Sequence, residues 1–283
     1  MYIPILGALA LAINTILEKL ILKKREMSIK RYQTLGFLAI IVAMLPIIYF
    51  FWKISLEAFA LKNIFIFLLV VIFSVIANFL YYYSLKKEKI SKLQPARILE
   101  PLLTIILSII FSFIFGEILY EKNFNVIIPA IIATLALVFS HVRKHHLRFN
   151  KYFIIAIFAS FFFALELVIS RLILDFYSPV TFYFLRGISI FLISLAVFGP
   201  KLSGLKKKIY GKILLIGAIW VIYRMVIYYG YLSYGIIFTT LMITLGPILV
   251  YVFAWIFLKD KPNLREIIAS LIILACILYV ILT

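Results

Sequence analysis

Ten apolar stretches of roughly 20 residues each, the length that crosses a bilayer, alternate with short charged segments and decide what this chain can fold into. They run Ile3–Leu22, Thr34–Trp52, Asn63–Leu85, Leu93–Phe115, Phe124–His141, Tyr152–Leu174, Ser178–Phe198, Lys212–Leu232, Phe238–Leu258 and Arg265–Leu282. Each can cross hydrocarbon with some tilt. Lipid offers no partner to open backbone, and no barrel-like alternation is present, so an all-α bundle is the expected architecture. The chain has 283 residues, 66% hydrophobic and 14% charged, against about 45–50% and 25% in soluble domains. These values exclude a soluble enzyme, a secreted disulfide scaffold and a disordered tail. The single cysteine, Cys276, permits neither an internal disulfide nor a thiolate metal cage. The first span has no basic lead-in and no small-residue cleavage site, so it reads as a retained helix rather than a signal peptide.

The formal charge of +18, from 29 Lys+Arg against 11 Asp+Glu, is not evidence for nucleic acid on such a chain. The loops after spans one, three, five, seven and nine hold 21 Lys and Arg. The first of them contributes Lys23, Lys24, Arg25, Lys30 and Arg31. The remaining loops hold only Lys53, Lys62 and Lys122. Basic loops stay in the cytoplasm, so a multi-pass protein of the cell membrane is expected, with both termini outside. Its partners are the bilayer and a small-molecule substrate, with no nucleic acid.

The two halves can be laid over one another. Lys19-Leu20-Ile21-Leu22 falls on Arg171-Leu172-Ile173-Leu174, Tyr82-Tyr83 on Tyr228-Tyr229 and Pro101 on Pro247. Five spans per half is an odd number, so the halves lie in opposite orientations. Inverted repeats of this kind place a site at their interface near the midplane. The pairing sets Asn14 against Glu166 and Asn78 against Arg224 at matched depths.

Several short motifs are similar to the ten-helix EamA-type members of the drug/metabolite transporter superfamily. The sixth and seventh spans read Ser170-Arg171-Leu172-Ile173-Leu174-Asp175-Phe176-Tyr177-Ser178-Pro179, then Phe184-Leu185-Arg186-Gly187. The eighth and ninth read Tyr228-Tyr229-Gly230-Tyr231-Leu232, Leu245-Gly246-Pro247 and Leu258-Lys259-Asp260, while the first half supplies Glu100-Pro101 and Gly116-Glu117. These resemble the family's Ser-Pro turn, tyrosine-bearing helix, Glu-Pro pair and terminal Gly-Glu. Gly246 replaces the Glu, and Lys259 replaces the Gly. The resemblance implies two EamA-like five-helix repeats, 1–148 and 149–283, forming an alternating-access carrier. Such carriers commonly export amino acids or other small metabolites.

Ionisable groups within a span cost roughly 2.5–3.5 kcal/mol each, so each asks for a partner or a role. Glu166 admits a coupling proton or a substrate ammonium, or an ion pair with Arg186 or Arg224. Arginine offers a planar fork to carboxylate or phosphate. Substrate contact is expected of Arg224, and a structural pairing of Arg186. Asn14 and Asn78 can bond across helices, worth about 0.6 kcal/mol each, or line a cavity. Tyrosines anchor at interfaces, but Tyr82 and Tyr228 at matched positions can line the path. Glu18, Lys19, Arg97, Glu100 and Arg171 are expected near helix ends, where long side chains snorkel. Arg97 and Glu100 are expected to pair locally, Glu117 and Asp260 to mark boundaries, and Pro101 and Pro247 to kink their helices. His141, His145 and His146 lie among Arg143, Lys144 and Arg148, which reads as a solvated basic face rather than a metal site.

A secondary transporter is the leading function, since no phosphate-binding Gly-rich loop is present to use ATP. A flippase for a lipid-linked sugar or phosphate is the alternative. A membrane-embedded transferase ranks lower: the only aspartates are Asp175 and Asp260, and no nucleophile elbow or zinc motif occurs. No enzyme activity, cofactor or metal is expected.

Overall fold

A computed structural model describes residues 3–116, 120, 122–141, 150–246, 248 and 264–283. The described residues form helices α1 (Ile3–Leu22), α2 (Ile29–Phe51), α3 (Leu61–Lys87), α4 (Ile90–Arg97), α5 (Leu99–Phe115), α6 (Phe124–His141), α7 (Lys151–Leu174), α8 (Pro179–Phe198), α9 (Lys207–Ser233), α10 (Ile236–Ile243) and α11 (Leu264–Leu282), with a 3-10 turn at Leu56–Phe59. No strand occurs among them. Seven segments of the described residues are long and apolar enough to cross a membrane: Ile29–Phe51, Leu61–Lys87, Pro95–Phe115, Lys151–Leu174, Pro179–Phe198, Lys207–Ser233 and Leu264–Leu282. Phe124–Ser140 is a shorter apolar helix.

Local chemistry sets the helix ends. Ser28, Asn150 and Ser178 are N-caps whose side chains accept from the amides of Arg31, Phe153 and Thr181, each satisfying a donor that the first turn leaves open. The cap at Ser28 starts α2 five residues earlier than apolarity alone predicts. The fourth span is two helices, because α4 stops at Arg97, four residues before Pro101. A proline ring clashes with the carbonyl four residues back and has no N–H to bond it. The ninth span behaves alike at its start, with α10 ending at Ile243, four residues before Pro247. Pro247 and most of the remainder of that span lie outside the described residues.

The outer faces are apolar. Leu6, Leu45, Phe50, Phe65, Phe113, Phe139, Phe158 and Leu271 are all exposed, a surface suited to lipid and an aggregation hazard in water. α3 packs along α7, α1 along α9, α2 on α8 and α6 on α11. With 61% of its apolar window buried against 22% for Leu264–Leu282, α7 is central and α11 peripheral.

Hydrogen bonds gather the loops at two ends. At one end, Lys19 Nζ donates to the carbonyls of Leu85 and Glu88, Lys86 to Met27 and Arg31 to Ser203. Asn150 donates to Glu88 Oε2 at 2.8 Å there. The basic loops around residues 23–31, 86–89 and 199–206 thus share one end. At the other end, Ser178 Oγ donates to the Phe51 carbonyl at 2.6 Å, and the Lys53 amide to Thr181 Oγ1 at 2.9 Å.

Helices α2 and α9 cross where Gly217 leaves room: a Cβ there would sit 2.7 Å from the Ala39 carbonyl carbon and 2.9 Å from Ile40 N. Those are backbone atoms and cannot swing aside. Gly217→Ala is therefore expected to destabilise the fold by about 1–3 kcal/mol, read as a lower thermal unfolding temperature in detergent. Gly36→Ala meets nothing within 4 Å and, by helix propensity, gains up to about 1 kcal/mol.

Candidate functional site

Three helices of the second half meet in a buried ion cluster. Glu166 on α7 is fully buried. Its Oε1 accepts from Arg186 Nε on α8 at 3.0 Å, and its Oε2 from Arg224 Nη2 on α9 at 3.3 Å. The Tyr228 hydroxyl, one turn beyond Arg224, donates to Oε1 at 3.2 Å. Arg186 Nε also lies 3.0 Å from Ser74 Oγ on α3, which ties the first half in. The side-chain exposures of the two arginines are 2% and 5%, so solvent does little to screen them. Two cations against one carboxylate leave the cluster one positive charge in excess. Arg186 Nη2 and Arg224 Nη1 are buried donors without a partner among the described residues.

Both arginines line a narrow cavity with Phe37, Ile40, Asn78, Tyr82, Tyr183 and Trp220. The free space between these side chains is about that of a single water, so a larger ligand requires the walls to part. Four aromatic rings and two guanidinium groups dominate the wall. Such a wall suits a small molecule with an anionic end and an apolar body.

Among the residues singled out from sequence, Arg186, Arg224, Asn78 and Tyr82 line the cavity. Glu166 and Tyr228 stand behind it, joined to the two arginines, with Arg224 over the Tyr228 ring at 6.0 Å. Asn78 donates back to the Ser74 carbonyl at 2.7 Å. Asn14 is fully buried on α1, and neither its amide nitrogen nor its oxygen has a partner. Arg186, of which a structural pairing is expected, lies away from the Ser178-Pro179 turn. It lies about two helical turns further in, on Glu166.

Two expectations are corrected. Arg97 makes no ion pair with Glu100, because the helix breaks at Ile98 between them. It donates instead to Thr15 Oγ1 at 2.7 Å and to the Tyr81 hydroxyl, and stacks over the Tyr81 ring at 4.6 Å. Glu18 does not snorkel. Ile21 and Leu22, beyond it on α1, are themselves buried, and the carboxylate accepts from Trp220 Nε1 at 2.9 Å and Tyr32 OH at 3.3 Å. Sequence reasoning passed over Trp220, Tyr183 and Ser74. The available signal was helical spacing, which puts Trp220 one turn before Arg224 on the same face.

Arg171 pairs with Asp175 at 2.6 Å within α7 and its cap. Glu117, Lys259, Asp260, His145, His146, Arg143, Lys144 and Arg148 lie outside the described residues. Among the described residues, no group of three or more His, Cys, Asp or Glu could hold a metal ion.

Residues 150–282, a little under half of the chain, match the EamA-like transporter family. A solved structure titled only "Crystal structure of protein" shares the fold with a TM-score of 0.68 at 13% identity, covering 99% of this chain and 95% of that one. No curated protein matches the sequence.

Removing Glu166 leaves two buried cations with no counter-charge, a loss of about 3–5 kcal/mol. Glu166→Gln is expected to lower the unfolding temperature in detergent sharply. Arg186→Gln, which leaves a neutral Glu166–Arg224 pair, is expected to cost less. The double variant Glu166→Gln/Arg224→Gln is expected to recover part of the loss.

Proposed function

We propose that this chain is a secondary transporter that moves a small metabolite bearing a carboxylate or phosphate across the cell membrane by alternating access. The observation that carries this reading is the pair of buried, unpartnered guanidinium nitrogens, on Arg186 and Arg224, in the wall of one cavity. A buried donor without an acceptor costs about 1–3 kcal/mol. A bound anion would satisfy both donors and neutralise the excess charge. Asn78 and Tyr82 would orient the ligand, and Glu166 and Tyr228 would hold the arginines in place. Asn14 would belong to the same buried polar layer. Export is the direction that the family resemblance implies.

The topology we infer is ten spans in two inverted five-helix repeats, 1–148 and 149–283, with α4 and α5 as one span and α10 opening another. Exchange of the halves supports it. α3 lies on α7 as α9 lies on α1, while α2–α8 and α6–α11 pair across the axis. The two ends are also built alike. Ser28 and Arg31 cap α2 and reach the loop before α9, as Ser178 and Thr181 cap α8 and reach the loop before α3. The family match beginning at residue 150 supports the boundary. The end that carries the basic loops would face the cytoplasm, leaving both termini outside.

Thermal stabilisation of the purified protein tests the substrate class, with amino acids, organic cations, nucleotides, sugars and lipid phosphates in the panel. A true ligand at a hundred times its Kd adds about 2.7 kcal/mol. Carboxylates or phosphates are expected to stabilise the wild type. Arg186→Lys and Arg224→Lys keep the charge on Glu166 but lose the fork, so each is expected to weaken binding by about 10- to 100-fold, or 1.5–3 kcal/mol. Stabilisation by organic cations alone would overturn the reading. Stabilisation by lipid phosphates alone would make the protein a flippase.

A further inference from the structure

Glu18 is a second buried carboxylate, and its surroundings are unlike those of Glu166. It is fully buried on α1 and makes no ion pair among the described residues. Oε1 takes both hydrogen bonds, from Trp220 and Tyr32, and Oε2 has no partner. One turn back along the same face stands Asn14, whose two amide atoms are equally unpartnered.

The groups facing Glu18 come from five helices: Tyr32 on α2, Tyr81 and Tyr82 on α3, Arg97 on α4, Tyr183 on α8 and Trp220 on α9. The one cation in that set, Arg97, is already committed to Thr15 and Tyr81. The adjacent Lys19 points away to the carbonyls of Leu85 and Glu88. A buried carboxylate without a cation is costly when ionised, and a proton removes that cost. Trp Nε1–H only donates, so Oε1 is the accepting oxygen and Oε2 is free to take the proton.

Glu18 also touches the cavity indirectly. Trp220, which donates to its carboxyl, and Tyr82, whose ring stands edge-on to that of Tyr32 at 4.9 Å, are wall residues. Charge counting makes the connection specific. Arg97 and Glu100 offset one another, Glu166 with its two arginines sums to one positive charge, and ionised Glu18 brings the total to zero. A monoanion in the cavity then leaves one negative charge unmatched, unless Glu18 takes up a proton.

We propose that Glu18 is a proton-binding site whose state is transmitted to the cavity wall through Trp220 and Tyr82, so that an anionic substrate is bound together with one proton. The second half of this statement rests on the anion-carrier reading above. Binding of the anion and of the proton favour each other, and the linkage is reciprocal.

The test reads the proton first, without substrate. In a protein carrying Trp52→Phe and Trp255→Phe, Trp220 fluorescence is followed against pH. A single-proton transition is expected, lost in Glu18→Gln and unchanged in the exposed Glu57→Gln. Should Glu18→Gln not fold, Tyr32→Phe replaces it and must move the midpoint to higher pH, since one donor to the ionised form is gone. A transition that is absent, or indifferent to both substitutions at Glu18 and Tyr32, overturns the proposal.

Benzoate, a monoanion at neutral pH, is then added in weak buffer with a pH indicator. Uptake of about one proton per benzoate is expected near the Trp220 midpoint, with none in Glu18→Gln. Benzoate bound with no proton uptake overturns the coupling. If neither benzoate nor any other anion binds while Trp220 still titrates, the anion-carrier reading falls and the proton site stands.

Discussion

The clasp of Arg186 and Arg224 on Glu166 is the interaction on which the arrangement of this protein depends. Charges placed in a low-dielectric bundle are tolerated only when paired and hydrogen-bonded. The three residues come from three successive helices, and Arg186 reaches a fourth through Ser74. Placing α7 fixes where α8 and α9 can lie, and Ser74 brings α3 alongside. The pairing is also asymmetric, two cations to one carboxylate, so the same contacts that order the bundle leave donors facing the cavity.

Around that centre the packing is that of a protein dissolved in lipid. Association between helices here cannot draw on burying apolar surface, because lipid is as apolar as leucine. Close approach has to supply it, and Gly217 against the α2 backbone is such a contact. Phe50, Phe113 and Phe139 stay outside because the surrounding solvent accepts them. The loop contacts at the two ends use the same devices in both halves: a serine cap, then a side chain three residues on that reaches the other half's loop.

Much of the fold was legible beforehand because lipid solubility is a one-dimensional constraint. The seven long apolar helices, an interruption near Pro101 and the gathering of the basic loops around residues 23–31, 86–89 and 199–206 all follow from runs and spacings along the chain. Intramembrane charge likewise marked Glu166, Arg186 and Arg224, since each is too expensive to carry without a partner. Glu18 was misread for a physical reason. Depth along a helix measures distance from the helix end, not from water, and the end of α1 is covered by α3. Arg97 was misread because a pairing rule valid on a continuous helix was applied across a break.

What the sequence by itself determined is the solvent this protein lives in, its helical class and the family that residues 150–282 match. Those properties depend on local runs and short motifs, which need no knowledge of what lies across the bundle. Tertiary structure alone decided that Glu166 takes both arginines, that Trp220 and Tyr183 complete the cavity wall, and that Glu18 sits buried behind that wall without a cation. Each of those is a contact between residues far apart in the chain, set by how helices cross, and helix crossing is set by side-chain packing that no single segment contains.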